Sequence, residues 1–553
     1  MPNPGSPSPN KPVQNPNKVP TPVNVARFER LLEGYDKLET QYLVEGLRSG
    51  FRLEFDEGST FQNASSRPPT RNHDSATRHA DSISKKIKKE LDAGRLEGPF
   101  LTIPYESFQI SPLAAVEKKE PGEYRLLHDL SFPEGQSVND NIATEKGKTK
   151  YQSLDQVIDT IVELGSHSIL SKFDIEHAYK ILPIHPDDVP AMGFYWEGSY
   201  YFDKTLAMGC RTSAKIFERF TTALEWIMKN KFSLQHCHHV LDDFLLASRP
   251  QSVADHQFHI FLAVCKYLNI PIKVTKTDSG MIIVYLGIEL DTIHMQSRLP
   301  QDKITKCIGK IDKVLSKDRV MKKTLESLAG LLNFACRVIR PGRAFLRRTY
   351  STIAAQHHSY KPIRVSKSIK DDLLMWRTFL QGFNGVTMFP ENHWSHRQVI
   401  VHSYTDAAPV GFGLLFGSKW LYGPFPPKWQ KFNILFLEAY PVMLLFELFK
   451  TDLANKKIIL HIDNEALVTT LNKQTVDHSH TMVIIRHIVL VALEYNIIFK
   501  AVHVPGVQNT LADPLSRLQI DVFKQRARDQ NVTVEDDPIQ VPHHLSPKHY
   551  KLT

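Results

Sequence analysis

The stretch His238–Ser248, HHVLDDFLLAS, decides how the chain is read. Val240 and Leu241 lead into two adjacent acids, Asp242 and Asp243, and the apolar run Phe244–Ala247 leaves them, a pattern that predicts a β-hairpin with acid at its tip. Neighbouring side chains on a strand point to opposite faces, but a tight turn holds consecutive acids near one point at considerable electrostatic cost. A hard divalent cation offsets that cost, because Mg²⁺ takes carboxylate oxygens and leaves positions open for substrate phosphates. For the hairpin alone, an ordinary surface turn is the competing reading, since Asp is common there.

A second stretch, about seventy residues upstream, changes the balance. Ser171–Lys180, SKFDIEHAYK, ends an apolar strand at Asp174, whose carboxylate completes a candidate cluster of three acids. In order and with these flanks, the two stretches resemble the palm of a reverse transcriptase, whose metal-binding motifs read FD-x-x-x-A-Y and then x-x-DD. Between them Leu206–Phe217, LAMGCRTSAKIF, is similar to the family's LPxG-x-x-x-SPxxF segment, and Tyr285–Asp291, YLGIELD, to its primer grip. The chain departs from the family at Val240, where Tyr is usual, and at Ala207 and Ala214, where Pro is usual.

The resemblance implies a set of roles. Asp174, Asp242 and Asp243, with the Ile175 carbonyl, hold two Mg²⁺, with Mn²⁺ as an alternative. The backbone around His177 and Ala178 meets the nucleotide triphosphate, and Met208 and Gly209 line the nucleotide and template site. Tyr179 stands at the steric gate that disfavours a ribose 2′-hydroxyl, or is a core aromatic. Lys276 is a proton donor to pyrophosphate, or a surface lysine. Ala115–Asp140 reads as a hairpin turning at Pro121 and Gly122. In the family it is the fingers hairpin, in which Lys118 and Arg125 match the triphosphate-binding Lys and Arg and Asp129 the acid four residues on. Point charge from Lys and forked donors from Arg suit a triphosphate. His236, Cys237, His238 and His239 look like zinc ligands, but strand alternation splits them between two faces.

The C-terminal third carries four more acids. Asp406 follows an apolar strand in HSYTDAAPVGFGLLF, Glu438 lies in NILFLEAYPVMLLFELF, Asp463 ends the strand of IILHIDNEAL, and Asp513 lies in HVPGVQNTLADPLSR. Their order and their separations of 32, 25 and 50 residues resemble ribonuclease H. That resemblance implies two more Mg²⁺, which activate water and stabilise the leaving 3′-oxygen. The chain departs from many such nucleases, which have a mobile His in a longer loop before the final Asp: here the loop after VPG is short, and only His503, on the other side of Pro505, is available.

Composition sets the frame. At 553 residues with 42% hydrophobic content the chain has material for several domains. The net charge of +9 favours a polyanionic partner. Five scattered cysteines, none in a CxxC, favour a reduced intracellular setting, cytoplasm or nucleus. No apolar run approaches membrane-spanning length, and no membrane partner is expected.

The expected fold class is therefore α+β and α/β multidomain, with a right-hand polymerase of fingers, palm and helical thumb, a short connection, and a ribonuclease H-like α/β domain. Residues 1–22 are expected to be a disordered arm, rich in Pro and Asn. Residues 23–80 form an N-terminal extension with two short helices, 81–298 the fingers and palm, and 299–359 the thumb. Residues 360–398 are the connection, 399–518 the nuclease-like domain and 519–553 a flexible tail. Asp81–Gly94 spaces Ile83, Ile87 and Leu91 four apart, an amphipathic helix whose KKIKK run is a solvated face, a phosphate contact or a nuclear localisation signal. Leu328, Leu331, Leu332 and Phe334 give the thumb an apolar face, and Arg337, Arg340, Arg343, Arg347 and Arg348 a basic end.

The expected function is RNA-directed DNA polymerase with ribonuclease H cleavage of the RNA in hybrids, from a retroelement. Its partners are an RNA template, a DNA primer, an RNA/DNA hybrid and deoxynucleotides (dNTPs). The GPF, SPL, DLS, MGC and N-x-x-AD-x-LSR segments resemble the DIRS-like group, with long-terminal-repeat elements as neighbours. The alternative is a catalytically impaired or host-adopted nucleic-acid-binding relic.

Overall fold

A computed structural model describes residues 19–59, 61–63, 70–117, 122–356, 358, 361–382, 400–454, 456–495 and 497–549. The chain divides into two units, one built from residues up to Leu286 with Asp291–His294, the other from Gly287–Leu290 and from Met295 onward.

In the first unit, Asn24 and Asp36 each accept a backbone N–H three residues on and so start α1 (Val25–Leu31) and α2 (Lys37–Ser49). α3 (Ala80–Asp92) buries Ile83 and Ile87, the face set by their four-residue spacing, against Phe194 and Trp196. β1 (Leu113–Glu117) and β2 (Tyr124–His128) pair as an antiparallel hairpin, Glu117 opposite Tyr124. α4 (Leu154–Leu164) opens on a reciprocal Ser153–Gln156 cap.

The elements that carry the first site follow. β3 (Ile169–Asp174) is the apolar strand ending in acid, and α5 (Ser213–Lys231) is the long helix after LAMGC. β4 (Cys237–Val240) and β5 (Asp243–Ser248) make the hairpin of HHVLDDFLLAS. α6 (Gln251–Tyr267) and the short β6 (Asp278–Gly280) complete the group. The sheet runs β6-β3-β5-β4 with every pair antiparallel. Phe173, Phe244 and Leu246 leave the strands for one core shared with Phe217, Phe220 and Leu224 of α5 and Phe261 of α6. Phe173 and Phe261 stack at 4.0 Å between ring centroids. A side chain of that size buried on each strand fixes the register, because a one-residue slip would turn every one of them to the wrong face.

The second unit starts with helices α7 (Gln301–Leu315), α8 (Lys322–Ala335) and α9 (Arg347–Ala355). α10 (Lys367–Gly382) lies in the segment expected as the connection and buries Leu373, Trp376 and Phe379. The sheet that follows has β7 (Ile400–Ala408), β8 (Gly411–Phe416), β9 (Lys419–Pro424), a crossover helix α11 (Ile434–Leu448), then β10 (Lys457–Ile462). α12 (Glu465–Lys473), α13 (Ser479–Glu494) and β11 (Ile498–His503) come next, then α14 (Ala512–Ser516) and α15 (Ile520–Asp529). The strand order is β9-β8-β7-β10-β11; the first three are antiparallel, and β10 and β11 run parallel to β7. α11 is apolar on every side and correspondingly buried throughout its middle.

Residues 519–549 are not a flexible tail: Phe523 of α15 is buried against Trp420, and the backbone of Glu535 and Ile539 pairs with Ser418 and Trp420 along the β9 edge. Tyr440 donates to the Leu545 carbonyl. A polar composition concealed this, because the docking uses backbone groups and a few spaced apolar residues. α10 is tied to α13 by charge. Arg486 donates at 2.8 Å to Asp372, which also accepts from Arg348 at 3.1 Å, and both Asp372 and Arg486 are buried. Burial pushes the Asp372 carboxyl up to about 6 against the pull of the two guanidiniums. Removing one partner strands the other charge, so Asp372→Ala should cost about 3–5 kcal/mol in urea unfolding of this unit; a loss below about 1 kcal/mol, typical of an exposed pair, contradicts this.

Candidate active sites

The first cluster is set by register. Asp243 lies directly opposite Asp174 across the β5–β3 ladder and opposite Val240 across the β5–β4 ladder. Asp242 occupies the turn between β4 and β5, where its carbonyl accepts the Ile175 N–H at 3.1 Å. The three acids therefore meet at one end of the sheet. Asp174 is buried and the other two are half-buried. Desolvation, then the charges of Asp243 and Asp174, raise the Asp242 carboxyl to about 6, and burial also raises Asp243. The Lys276 side chain is half exposed, and its ammonium donates to Asp174. Although burial opposes its charge, that contact and the other two acids hold its pKa above the ordinary lysine value.

Around this cluster the backbone is unusual. His177 and Ala178 both take positive φ, +67° and +33°, a conformation non-glycine residues adopt only where the surroundings impose it. Tyr179 follows, half-buried, edge-on to Phe217 at 5.2 Å, and burial together with Tyr151 and Asp242 pushes its hydroxyl up to about 12. Met208 is exposed, and the Arg125 guanidinium reaches its sulfur at 3.8 Å, which joins the β1–β2 hairpin to the LAMGC loop. Gly209 takes φ of +108°. Lys118 lies outside the described residues. Asn139 is a residue that sequence reading missed: its side chain donates to the Gly209 carbonyl and accepts from the Arg211 N–H, both at 2.8 Å, and so fixes the loop. Nothing in its spacing marks it, since its partners are some seventy residues away. The histidine run behaves as alternation dictates: the His238 ring contacts Gln152 and Thr160, while the His239 ring contacts Glu225.

The second cluster lies in the C-terminal sheet. Asp406 on β7, Glu438 on α11 and Asp463 just past β10 bring carboxylate oxygens within 4.8 Å of one another. Desolvation, with repulsion from the neighbouring acids, raises Asp406 to about 6 and Glu438 to about 9, and burial raises Asp463 as well. Glu438 Oε2 and Asp463 Oδ1 are buried without a hydrogen-bond partner. Hard oxygen donors so crowded and so poorly satisfied fit a divalent cation. Asp513 is not part of this trio. Its charge acts on Asp406 and Asp463, but its carboxylate is engaged by Arg517 at 2.7 Å.

Local geometry explains how α14 reaches the site. Gly413 pairs with Asp406 across β7–β8, and a Cβ there would lie 2.4 Å from Leu515 Cβ, so only glycine lets this helix press onto the strands. The approach delivers Ser516, also missed, whose hydroxyl donates to Asp406 Oδ2. His503 donates to the Asp463 carbonyl at 3.1 Å.

Residues 116–290 match the family described as reverse transcriptase (RNA-dependent DNA polymerase). This segment is a reverse transcriptase domain. It contains Asp174, Asp242, Asp243, Arg125, Tyr179, Met208, Gly209 and Lys276, whereas the C-terminal acids lie outside the match. The chain carrying this reverse transcriptase domain is 22% identical over 262 residues to the Gag-Pro-Pol polyprotein of Human T-cell leukemia virus 2; the match covers 45% of this chain and 17% of the polyprotein's length. It is also similar to the foamy viral protease-reverse transcriptase. The dRH form in complex with double-stranded DNA gives 17% identity and a TM-score of 0.48, covering 90% of this chain and 84% of that one. The form in complex with an RNA/DNA hybrid gives 16% and 0.46, covering 88% and 64%. Among the described residues no helix is long and apolar enough to cross a membrane.

Proposed function

We propose that the chain is an RNA-directed DNA polymerase of a retroelement that extends a DNA primer on an RNA template and, through its C-terminal sheet, cleaves the RNA of the resulting hybrid. The observation that carries the reading is the register of Asp174 against Asp243 with Asp242 in the adjoining turn, inside the reverse transcriptase domain.

In this reading the first unit supplies fingers and palm and the helices α7 to α9 the thumb. Two divalent cations, Mg²⁺ or Mn²⁺, held by Asp174, Asp242, Asp243 and the Ile175 carbonyl, would lower the pKa of the primer 3′-hydroxyl and neutralise the leaving pyrophosphate. The chain's own groups do the rest. Lys118 and Arg125 grip the triphosphate of the incoming deoxynucleotide, and the turned backbone of His177 and Ala178 offers it N–H groups. Tyr179 packs where a 2′-hydroxyl would otherwise sit. Lys276, beside Asp174, would give a proton to pyrophosphate as the 3′-oxygen bonds to the α-phosphorus and the bond from that phosphorus to pyrophosphate breaks.

The second site is read as the ribonuclease H centre, where Asp406, Glu438 and Asp463, with Asp513, would hold Mg²⁺ that activates water and stabilises the leaving 3′-oxygen. Ser516 keeps the Asp406 carboxylate aimed inward. The five cysteines, all free and buried, fit work in a reducing compartment, cytoplasm or nucleus. Incubation of the purified chain with poly(rA)/oligo(dT), dTTP and Mg²⁺ should lengthen the primer. No extension with either Mg²⁺ or Mn²⁺ would leave the nucleic-acid-binding relic as the reading.

A further inference from the structure

Behind the acid-bearing turn lies a buried row of charges that the proposed chemistry does not use. Glu218 and Glu225 sit seven residues apart on α5, two turns along one face, and both are buried although each is a carboxylate. Between them stands His239 of β4, 1% exposed. Its Nδ1 meets Glu225 and its Nε2 lies 3.4 Å from Glu218 Oε1. An imidazole that faces a carboxylate at each nitrogen donates to both only when protonated. Burial opposes that charge, yet the two carboxylates hold the His239 pKa above the ordinary histidine value. Glu225 is tied down further by Lys229 and by the Gln152 amide at 2.7 Å.

The other oxygen of Glu218 points at the turn. Oε2 accepts the backbone N–H of Leu241 at 2.9 Å, and Leu241 holds φ of +53°, a left-handed conformation that a branched, non-glycine residue keeps only under constraint. Leu241 immediately precedes Asp242. On the far side of the turn Tyr285 donates to the Asp243 carbonyl at 3.2 Å.

We propose that Glu218, anchored through His239 to Glu225, is a positioning residue for polymerisation: its carboxylate clamps the Leu241 N–H and thereby fixes where Asp242 presents its oxygens. This rests on the polymerase reading of the hairpin acids. The anchor is buried and contacted at both imidazole nitrogens, so it limits rotation of the Glu218 side chain, and the strain at Leu241 is held in place by it.

The test is steady-state extension on poly(rA)/oligo(dT) with dTTP varied, using the full chain and three variants. Glu218→Ala removes the acceptor; it should lower kcat by about 10- to 100-fold, leaving KM for dTTP within about twofold, because the misplaced group acts at the chemical step. Glu218→Gln keeps a carbonyl oxygen for Leu241 and should recover most of that loss. Asp242→Asn is the control for the underlying reading. If it is inactive while Glu218→Ala matches the wild type, the clamp is wrong and the reading stands; if Asp242→Asn is fully active, the reading itself is wrong. Equal losses in Ala and Gln variants overturn the clamp, since an acceptor would then be irrelevant. Should Glu218→Ala fail to fold, Glu218→Leu replaces it, and loss of fold in both overturns the proposal in favour of a purely structural role.

Discussion

Asp242→Asn is expected to slow primer extension by about a thousandfold at saturating dTTP, while binding of template and primer stays near the wild-type level. A carboxylate that holds a hard cation through the transition state is worth several kcal/mol, and about 4 kcal/mol corresponds to three decades in rate. Asn suits the test because it is as much at home in a turn as Asp and removes only the charge. Stability moves the other way. The Asp242 carboxyl is raised from 3.8 to about 6, so the unfolded chain ionises first. Between about pH 4 and 6 the folded state binds the extra proton, and its stability falls as pH rises through that window. In the presence of a chelator the Asn variant lacks this penalty and should be no less stable at pH 7. A variant that is both inactive and clearly less stable would point to a folding role for Asp242 instead.

Glu438→Gln carries the second large effect. Glu438 is raised from 4.5 to about 9 by burial and then by Asp406 and Asp463. Because the folded state retains the proton and the unfolded state releases it, metal-free stability should fall with rising pH from about 4.5 to 9, by at most about 1.4 kcal/mol per unit. Gln keeps the shape, cannot ionise and relieves the repulsion. Thermal unfolding in chelator should therefore show a higher Tm for Glu438→Gln at pH 8 than for the wild type, and a difference that shrinks toward pH 5. Hybrid cleavage in Mg²⁺ should fall about a thousandfold in the same variant, since its amide is a poor ligand for a hard cation. A Tm below that of the wild type at pH 8 would contradict the electrostatic account of this cluster.

The contrast between these sites and the rest of the molecule marks what a sequence makes legible. Asp174 and the Asp242–Asp243 pair stand out because chemistry forces acids onto the ends of apolar strands, where local pattern places them. The β1–β2 hairpin is similarly written in its own residues. Glu218, His239, Asn139 and Ser516 are not legible this way: each matters through a partner 14 to 110 residues distant, and each belongs to a common residue type in an unremarkable local context. The segment after Leu518 was misread for a related reason. Its polarity is real, but Trp420 donates its indole N–H to the Glu535 carbonyl and the β9 edge takes up the backbone, contacts no composition can announce. The Arg517 contact to Asp513, four residues on, is likewise not announced by the order of acids along the chain.

The central claim, that two separate groups of acids each carry their own chemistry, is tested most directly on one substrate. An RNA template labelled at its 5′ end and annealed to a differently labelled DNA primer reports extension and RNA cleavage in the same tube with Mg²⁺. Asp242→Asn should cleave without extending, and Asp463→Asn should extend without cleaving. If either substitution abolishes both activities in a folded protein, or neither, the assignment of one reaction to each cluster is contradicted.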